Sequence, residues 1–299
     1  MAALSQKRSC GQIMEEFREF MWNPRTREFM GRTGSSWGLI LLFYLVFYAF
    51  LTAMFSLTMW VMLQTIDEYN PKYSDRLANP GLMIRPKTDG LDIVYNVTEG
   101  QASWGKYSSA LDSVLGDYNL TVQEQRGSAC NGGAYNRQED TGDVRNYPKR
   151  ACQFLRSSLG LCSGLEDNSY GYKDGTPCVL IKMNRVIHFL PSVIPQLSNT
   201  SITVNCTGKT EENERLLGKR VYFPNNGTGL GTIDLMYFPY YGNKAQKNYT
   251  QPLVAVRFEN AMRNVDHLVE CRVNAGNINN KDDRDKFAGR VAFRLRINN

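Results

Sequence analysis

Histidine and clustered charge are scarce in this sequence. Only 2 of its 299 residues are histidine, His188 and His267, and both stand in segments that read as strands. That scarcity disfavours histidine-based or metal-dependent catalysis, which draws its proton carriers and ligands mainly from histidine. The 35 basic and 29 acidic residues leave a net charge of +6, with no run of five like charges. The sequence therefore predicts no nucleic-acid or other polyanionic partner.

The sequence also lacks the motifs of common enzyme classes. It contains no GxSxG and no HExxH, the patterns of serine hydrolases and zinc proteases. Gly208-Lys209-Thr210 matches the end of a P-loop, but Thr203 occupies the position of that loop's first glycine. Asp283-Arg284-Asp285 has the D-x-D spacing with which Golgi glycosyltransferases hold a metal and a sugar nucleotide. It stands in a hydrophilic stretch with interleaved basic residues, so we interpret it as a solvated loop and predict no catalytic residue, cofactor or metal site.

Charged residues are absent from one long stretch. No Asp, Glu, Lys, Arg or His occurs between Arg32 and Asp67, and residues 37–63 are almost wholly apolar. As an α-helix with about 1.5 Å per residue, 37–63 spans roughly 40 Å, which exceeds the roughly 30 Å hydrocarbon core of a bilayer. The stretch is too long for a secretory signal and lacks a small-residue cleavage site. We predict one membrane-spanning helix over residues 37–63, retained as an anchor.

The cysteines and glycosylation motifs lie almost entirely after this helix. Only Cys10 of the 7 cysteines precedes it, and every N-x-S/T sequon follows it. Disulfide bonds and N-linked glycans form on the luminal side of the secretory pathway. We therefore predict a type II protein with a cytoplasmic tail at 1–36 and an extracellular C-terminal part. The predicted glycosylation sites are Asn96, Asn119, Asn199, Asn205, Asn226 and Asn248.

The external cysteines favour a disulfide-bonded domain. No CxxC pair or Cys/His cluster accompanies them, so metal binding is disfavoured. Six cysteines allow fifteen pairings, and spacing alone does not select one. The six are Cys130, Cys152, Cys162, Cys178, Cys206 and Cys271.

The extracellular part divides into a linker and a β-rich domain. Residues 64–90 mix prolines and glycines with residues of both polarities and read as an extended stalk. Domain 91–299 begins with a predicted strand, Leu91 to Val97. A short helical region follows it, for which Ser103 is placed as the N-cap. Short segments rich in β-branched and aromatic residues follow, and the last, 290–297, alternates apolar with polar or small residues. Because helices do not separate them, these segments predict an antiparallel β-sandwich.

Two groups of aromatic residues indicate contacts with another protein. Tyr44 and Tyr48 lie one helical turn apart in the spanning segment, where hydroxyls favour helix pairing, although tyrosines also occur in spans without a special role. Outside the membrane, residues 237–242 read YFPYYG. Aromatic residues are enriched in interface hot spots but also fill sandwich cores, and the proline favours a sheet edge with partial exposure. The predicted partner-binding residues are Tyr44, Tyr48, Tyr237, Phe238, Pro239, Tyr240, Tyr241 and Gly242.

Several stretches resemble the beta subunits of the Na,K-ATPase and the H,K-ATPase. They are WNP and GRTGSSW before the spanning segment, FYLVFY within it, and YNPKYSDRLANPGL, CSGL, PCVLIKMNRVI, YFPYYG, QPLVAV and KFAGRVAFRLRI after it. Their order and spacing match the family over essentially the whole chain. Within the family, LTAMFSLTMWVMLQT, LMIRPKT and NYPKRACQF are similar to the glial adhesion type of the Na,K-ATPase beta subunit. MAAL, CGQ and GNKAQ are similar to the gastric H,K-ATPase beta subunit.

The resemblance implies a fold and a function. The fold is a single transmembrane α-helix followed by a mainly β, immunoglobulin-like ectodomain. The function is that of a non-catalytic subunit that escorts the catalytic alpha subunit from the endoplasmic reticulum to the plasma membrane and modulates its potassium affinity. A cell-adhesion glycoprotein, which can coexist with that role, and a beta subunit of the proton/potassium pump are the alternatives.

The resemblance also implies contacts for individual residues. Tyr44 and Tyr48 would pack on transmembrane helices of alpha, and Tyr237 through Gly242 would dock on one of its extracellular loops. A small single-span third subunit and an adhesion partner on neighbouring cells are further expected partners. The implied disulfides pair Cys130 with Cys152, Cys162 with Cys178, and Cys206 with Cys271.

Overall fold

The structure is a computed structural model that describes residues 10–74, 79–142, 144–225, 227–281 and 285–299 of the 299-residue chain. The chain divides into two compact units, Met1–Ile66 and Asp67–Asn299.

The first unit is built around one long apolar helix. Helix α1 (Cys10–Met21) is followed by three two-residue strands, β1 (Trp22–Asn23), β2 (Glu28–Phe29) and β3 (Arg32–Thr33), and by α2 (Gly34–Gln64). No charge or proline interrupts the 31 residues of α2, so the helix extends slightly beyond the predicted 37–63 at both ends. None of its residues is buried within the chain. Within the described residues, α2 is the one helix long and apolar enough to cross a membrane.

In the second unit, the described strands form two β-sheets. The four-stranded sheet has the order β4-β6-β10-β8, with strands β4 (Leu82–Arg85), β6 (Cys178–Met183), β8 (Lys219–Phe223) and β10 (Leu253–Glu259). The five-stranded sheet has the order β5-β12-β11-β7-β9, with strands β5 (Asp92–Asn96), β7 (Ser201–Gly208), β9 (Gly231–Asp234), β11 (Asp266–Asn274) and β12 (Arg290–Asn298). The pairings are antiparallel apart from β5 with β12, which run parallel.

The two sheets pack face to face, as a β-sandwich requires. Phe258 of β10 and Phe293 of β12 meet across the core with ring centroids 6.2 Å apart. The sheets approach each other closely at Gly231, where a Cβ would lie 2.3 Å from Cγ1 of Val254. Only glycine fits there.

Strand β12 shows why its sequence forms one wall of this core. Val291, Phe293, Leu295 and Ile297 are buried, and Ala292 between them is exposed. Burying each of these large side chains contributes roughly 2 kcal/mol. The alternation predicted for 290–297 is confirmed.

The helical region packs beside the strands, but its start differs from the prediction. Helix α3 spans Gln101–Leu115 and buries Trp104 and Leu111, and its N-cap is Gly100, at φ 67°, instead of Ser103. The Ser103 hydroxyl accepts a hydrogen bond from the backbone N–H of Asn96, 2.8 Å away, so it supports β5 and not the helix end. Two further short helices are α4 (Leu120–Arg126) and α5 (Glu211–Leu216).

The segment predicted as an extended stalk, 64–90, is packed in part. Its residues Leu82 and Ile84 are buried where β4 pairs with β6. The alternation that makes β4 is only four residues long and stands between Pro80 and Pro86, so it does not stand out in the sequence. The sandwich therefore begins before residue 91.

His188 also lies outside the strand predicted for it. Strand β6 ends at Met183, and His188 adopts φ 59° in a turn. His267 does lie in β11, where it is fully buried and its Nε2 is 2.7 Å from the Met262 carbonyl oxygen.

Three disulfides join the pairs that the resemblance implies. Cys130 is bonded to Cys152, Cys162 to Cys178 and Cys206 to Cys271. Cys206 and Cys271 are directly opposite each other in the β7–β11 ladder. This disulfide crosses two paired strands in the middle of the five-stranded sheet.

Candidate partner-binding site

The membrane helix displays two stacked aromatic pairs. The rings of Tyr44 and Tyr48 are 5.9 Å apart and nearly parallel, at 22°. Phe43 and Phe47 form a similar stack at 6.0 Å, one residue earlier along the helix. The tyrosines are 47% and 58% exposed within the chain. Their hydroxyls are therefore available to a second helix, where the hydrocarbon around them offers no other hydrogen-bond partner.

The YFPYYG segment does not have the partial exposure predicted from its proline. Tyr237, Phe238, Tyr240 and Tyr241 are each less than 10% exposed, and Pro239 is buried as well. After β9 the chain turns through a short 3-10 helix and packs back onto its own domain instead of forming a sheet edge. These rings form a rigid support, and exposed residues beside them must make any contact with a partner.

Hydrogen bonds and ring contacts fix the YFPYYG segment in place. The Tyr241 hydroxyl accepts a hydrogen bond of 2.7 Å from the backbone N–H of Gln138, and the rings of Tyr240 and Tyr249 are 4.7 Å apart. The Tyr237 hydroxyl donates to the Gln153 carbonyl at 3.3 Å.

The segment that follows the membrane helix packs against the end of YFPYYG. We call residues 67–70 the juxtamembrane anchor. A Cβ on Gly242 would lie 3.5 Å from the Tyr69 carbonyl oxygen, and Lys244 Nζ is 3.1 Å from a Glu68 carboxylate oxygen. Asn243 and Lys244 are exposed. The anchor and the edge of YFPYYG thus lie on one face of the second unit.

Arg145 and Tyr147 hold the juxtamembrane anchor to the domain. The guanidinium of Arg145 donates two hydrogen bonds to Asp67, at 2.6 and 3.2 Å, and these hold the pKa of that carboxyl well below its usual range. The rings of Tyr69 and Tyr147 stack at 4.7 Å. The anchor begins three residues after the last residue of α2.

A buried lysine links the anchor's support to YFPYYG. The Lys149 side chain is 3% exposed, and its ammonium donates to Asp140 at 2.5 Å and to the Gln138 carbonyl at 2.9 Å. It also lies 5.4 Å from the ring centroids of both Tyr147 and Tyr241. The hydrogen bond from Lys149 lowers the pKa of Asp140. One cation therefore connects the tyrosine behind the anchor with a tyrosine of YFPYYG.

His188, an exposed residue, lies against the other side of the anchor. Its Nε2 is 2.7 Å from Asn70 Oδ1, its ring meets Tyr241 edge-on at 5.4 Å, and loss of water around the ring lowers the pKa of His188. Asp140 opposes this shift and Lys149 adds to it. The folded state therefore favours the neutral imidazole of His188 over the charged one.

Because the fold lowers the pKa of His188, we expect the folded state to lose stability in mild acid. Because the folded pKa is lowered, the stabilisation is complete above the unfolded pKa of about 6.5 and is lost as the pH falls from there toward the folded pKa. The melting temperature of the full chain should fall between about pH 7.5 and 5.5, with a shallower slope in His188→Gln. An unchanged slope in that variant would assign the pH dependence to other groups.

The predicted glycosylation sites differ in exposure. Asn119, Asn199 and Asn248 are exposed, whereas Asn96 and Asn205 are half-buried on β5 and β7. Asn226 lies outside the described residues. Their occupancy stays a prediction.

The sequence did not single out the residues that build the anchor and its support. Asp67, Tyr69, Arg145, Tyr147 and Lys149 come from two segments far apart in the chain and meet only in the fold. The stretches YNP and NYPKR contain part of the set. Neither has a spacing that indicates a contact with the other.

Comparison with known proteins decides the family. The chain matches the family described as sodium/potassium ATPase beta chain over residues 7–293. It belongs to that family. It is 67% identical to the sodium/potassium-transporting ATPase subunit beta-2 of Rhinella marina over 298 residues, which is 99% of both chains. The protein of the same description from Mus musculus is 58% identical over 299 residues, which is 100% of this chain and 99% of that one.

A second branch of relatives is more distant. The potassium-transporting ATPase subunit beta of Oryctolagus cuniculus is 40% identical over 301 residues, covering 99% of both chains. As a member of the beta chain family, this chain is a non-catalytic subunit.

The D-x-D spacing falls partly outside the structure's described residues. Asp283 and Arg284 are not described. The Asp285 carboxylate accepts hydrogen bonds from the backbone N–H groups of Phe287 and Ala288, at 2.9 and 3.1 Å. Among the described residues, no three His, Cys, Asp or Glu side chains lie together as metal ligands.

Proposed function

We propose that this beta chain is the beta subunit of a sodium/potassium-transporting ATPase. It binds the catalytic alpha subunit, carries it from the endoplasmic reticulum to the plasma membrane, and modulates its potassium affinity. The observation that carries the proposal is the Tyr44–Tyr48 stack on a membrane helix with no residue buried within the chain. The higher identity to the beta-2 relatives than to the potassium-transporting relative supports the sodium pump over the proton pump.

The membrane helix supplies the first contact. Lipid gives two helices no hydrophobic reason to associate, so packing and hydrogen bonds between them decide the pairing. Tyr44 and Tyr48 offer two hydroxyls and two ring faces on one stripe. We place this stripe against transmembrane helices of alpha.

The extracellular unit supplies the second contact. The buried YFPYYG rings and Lys149 hold the juxtamembrane anchor, and Asn243 and Lys244 stand exposed at its edge. We place this face against an extracellular loop of alpha. A contact that differs in strength between two states of alpha shifts their equilibrium, and any change in potassium affinity follows from that linkage.

The disulfides support a type II orientation. All three lie in the unit after the helix, and disulfides persist in the oxidising lumen and at the cell surface. We therefore place the N-terminal tail in the cytoplasm and the sandwich outside.

Replacing both tyrosines of the stripe should separate the subunits. We expect Tyr44→Leu with Tyr48→Leu to reduce recovery of alpha with the tagged beta chain by about 10-fold in mild detergent, because two interhelical hydrogen bonds and two ring contacts are lost. The leucines keep the helix apolar. The measurement is the alpha-to-beta ratio after purification, together with the potassium affinity of any pump that assembles.

The helix offers its own control in the neighbouring stack. Phe43→Leu with Phe47→Leu removes the same number of rings from the adjoining stack, whose rings lie 5.5 Å from those of Tyr44 and Tyr48 but carry no hydroxyl, and we expect less than about a 2-fold loss. Equal recovery of alpha with both double variants would refute the tyrosine stripe as the contact. If pumps containing the tyrosine variant kept their potassium affinity, the tyrosine stripe would serve assembly with alpha and not modulation of its potassium affinity.

A further inference from the structure

The sandwich carries a cavity that plays no part in the contacts above. It has a volume of about 470 Å³, within the range of roughly 300–1,000 Å³ of small-molecule sites. It opens beside β12, where the start of β4 approaches the five-stranded sheet. Leu82, Met83, Leu91, Phe287 and Val291 supply most of its apolar lining.

The wall that contains Phe287 is fixed by the fold. Asp285 caps the turn before it, a β-bridge joins Gly81 with Ala288, and the Gly289 N–H donates to the Pro80 carbonyl at 3.0 Å. The Phe287 side chain is nevertheless 75% exposed. A large aromatic ring held open to solvent on a fixed turn is a surface that a ligand can cover without reordering the chain.

The described polar residues of the cavity lining are mainly cationic. Arg290 is only 8% exposed and its guanidinium donates to the Asp285 carbonyl at 2.8 Å, while Lys209 and Lys286 are exposed at the margin. Among the described residues that line the cavity, the one carboxylate belongs to Glu270 and is already bound by Arg272. In the part of the chain that the structure describes, no carboxylate lies within 4.0 Å of either lysine ammonium.

From this arrangement we infer that the cavity binds a free amphiphilic monoanion, a carboxylate or sulfate on a compact apolar body. The apolar body lies against Met83, Phe287 and Val291, and the anionic group faces Lys209 and Lys286. An apolar pocket with a few convergent charges is the usual design of such sites. An uncharged body of the same shape gains the apolar contacts but not the charge-assisted hydrogen bonds.

The test compares an anion with its neutral analogue on the full chain. The chain is placed in nanodiscs of zwitterionic lipid and titrated with 4-phenylbutyrate and with 4-phenylbutanol, using calorimetry and saturation-transfer NMR. We expect the acid to bind at least about 10-fold more tightly than the alcohol, because charge-assisted hydrogen bonds are the stronger kind. Lys209→Gln with Lys286→Gln should weaken binding of the acid by about that factor. The affinity for the alcohol should change by less than about 2-fold.

Exposed residues elsewhere provide matched controls. Lys173→Gln with Lys219→Gln removes two exposed lysines outside the cavity and should leave both affinities unchanged. Phe287→Ser should weaken binding of the acid and of the alcohol alike. Met262 is an exposed apolar residue outside the cavity, and Met262→Ser should weaken binding of neither. All substituted side chains are exposed, so the variants keep the fold. No saturable binding of 4-phenylbutyrate, or equal binding by the Lys209→Gln/Lys286→Gln variant, overturns the inference.

Discussion

Replacing Cys206 and Cys271 together with alanine is expected to lower the free energy of unfolding of the full chain by roughly 4 kcal/mol. The disulfide closes a separation of 65 residues, and the chain-entropy estimate for a loop of that size is about 4 kcal/mol. Alanine is chosen because both cysteines are buried, and a serine hydroxyl there would add an unsatisfied polar group. Since whole domains are stable by only about 5–15 kcal/mol, much of the chain should remain in the endoplasmic reticulum.

The measurement combines denaturant unfolding with the fraction of the chain that acquires mature glycans in cells. Cys162→Ala with Cys178→Ala is the matched comparison, because that pair is also buried but separated by only 16 residues, for which the estimate is about 3 kcal/mol. Cys10→Ala, before the membrane helix, should change neither quantity. If Cys162→Ala with Cys178→Ala lowered the free energy of unfolding more than the Cys206/Cys271 variant, loop length would not determine the loss of stability.

Local patterns in the sequence predicted the elements whose formation depends on their own residues and not on a distant partner. The uncharged run at 37–63 predicts α2, because a membrane helix needs only length and apolarity. The alternation at 290–297 predicts β12, because every second side chain of a strand points to the same face and here these side chains are apolar. The parallel pairing of β5 with β12 joins Asp92 to Arg294, and no local pattern in either strand indicates it.

The candidate site was only partly predictable for the same reason. Tyr44 and Tyr48 are one turn apart, so the sequence alone places them side by side. The burial of YFPYYG depends on Gln138, Gln153 and Tyr249, which come from other segments. A proline-stiffened aromatic run fits both a sheet edge and a buried support, and only the tertiary partners distinguish the two.

The buried Lys149 is expected to be the most sensitive single position of the candidate site. Lys149→Met keeps most of the volume of the side chain but removes the cation between the rings of Tyr147 and Tyr241 and its bonds to Asp140 and Gln138. We expect the free energy of unfolding to fall by roughly 2 kcal/mol, from the loss of buried charge-assisted hydrogen bonds and cation–π contacts. Because Tyr147 stacks on Tyr69, the juxtamembrane anchor should also become more accessible.

A double-mutant cycle with Asp140 separates the ion pair from the packing. Asp140 is partly exposed, so its carboxylate is hydrated once Lys149 is gone. Asp140→Asn alone should cost less than Lys149→Met, because the ammonium then keeps its bond to the Gln138 carbonyl and its contacts with both tyrosine rings. If Lys149 acts mainly through Asp140, the double variant should be little worse than Lys149→Met. If it acts mainly through the two tyrosine rings, the losses should add. Hydrogen exchange at residues 67–70 is the second readout: exchange unchanged in Lys149→Met would show that the anchor is held by Arg145 and His188 without the lysine.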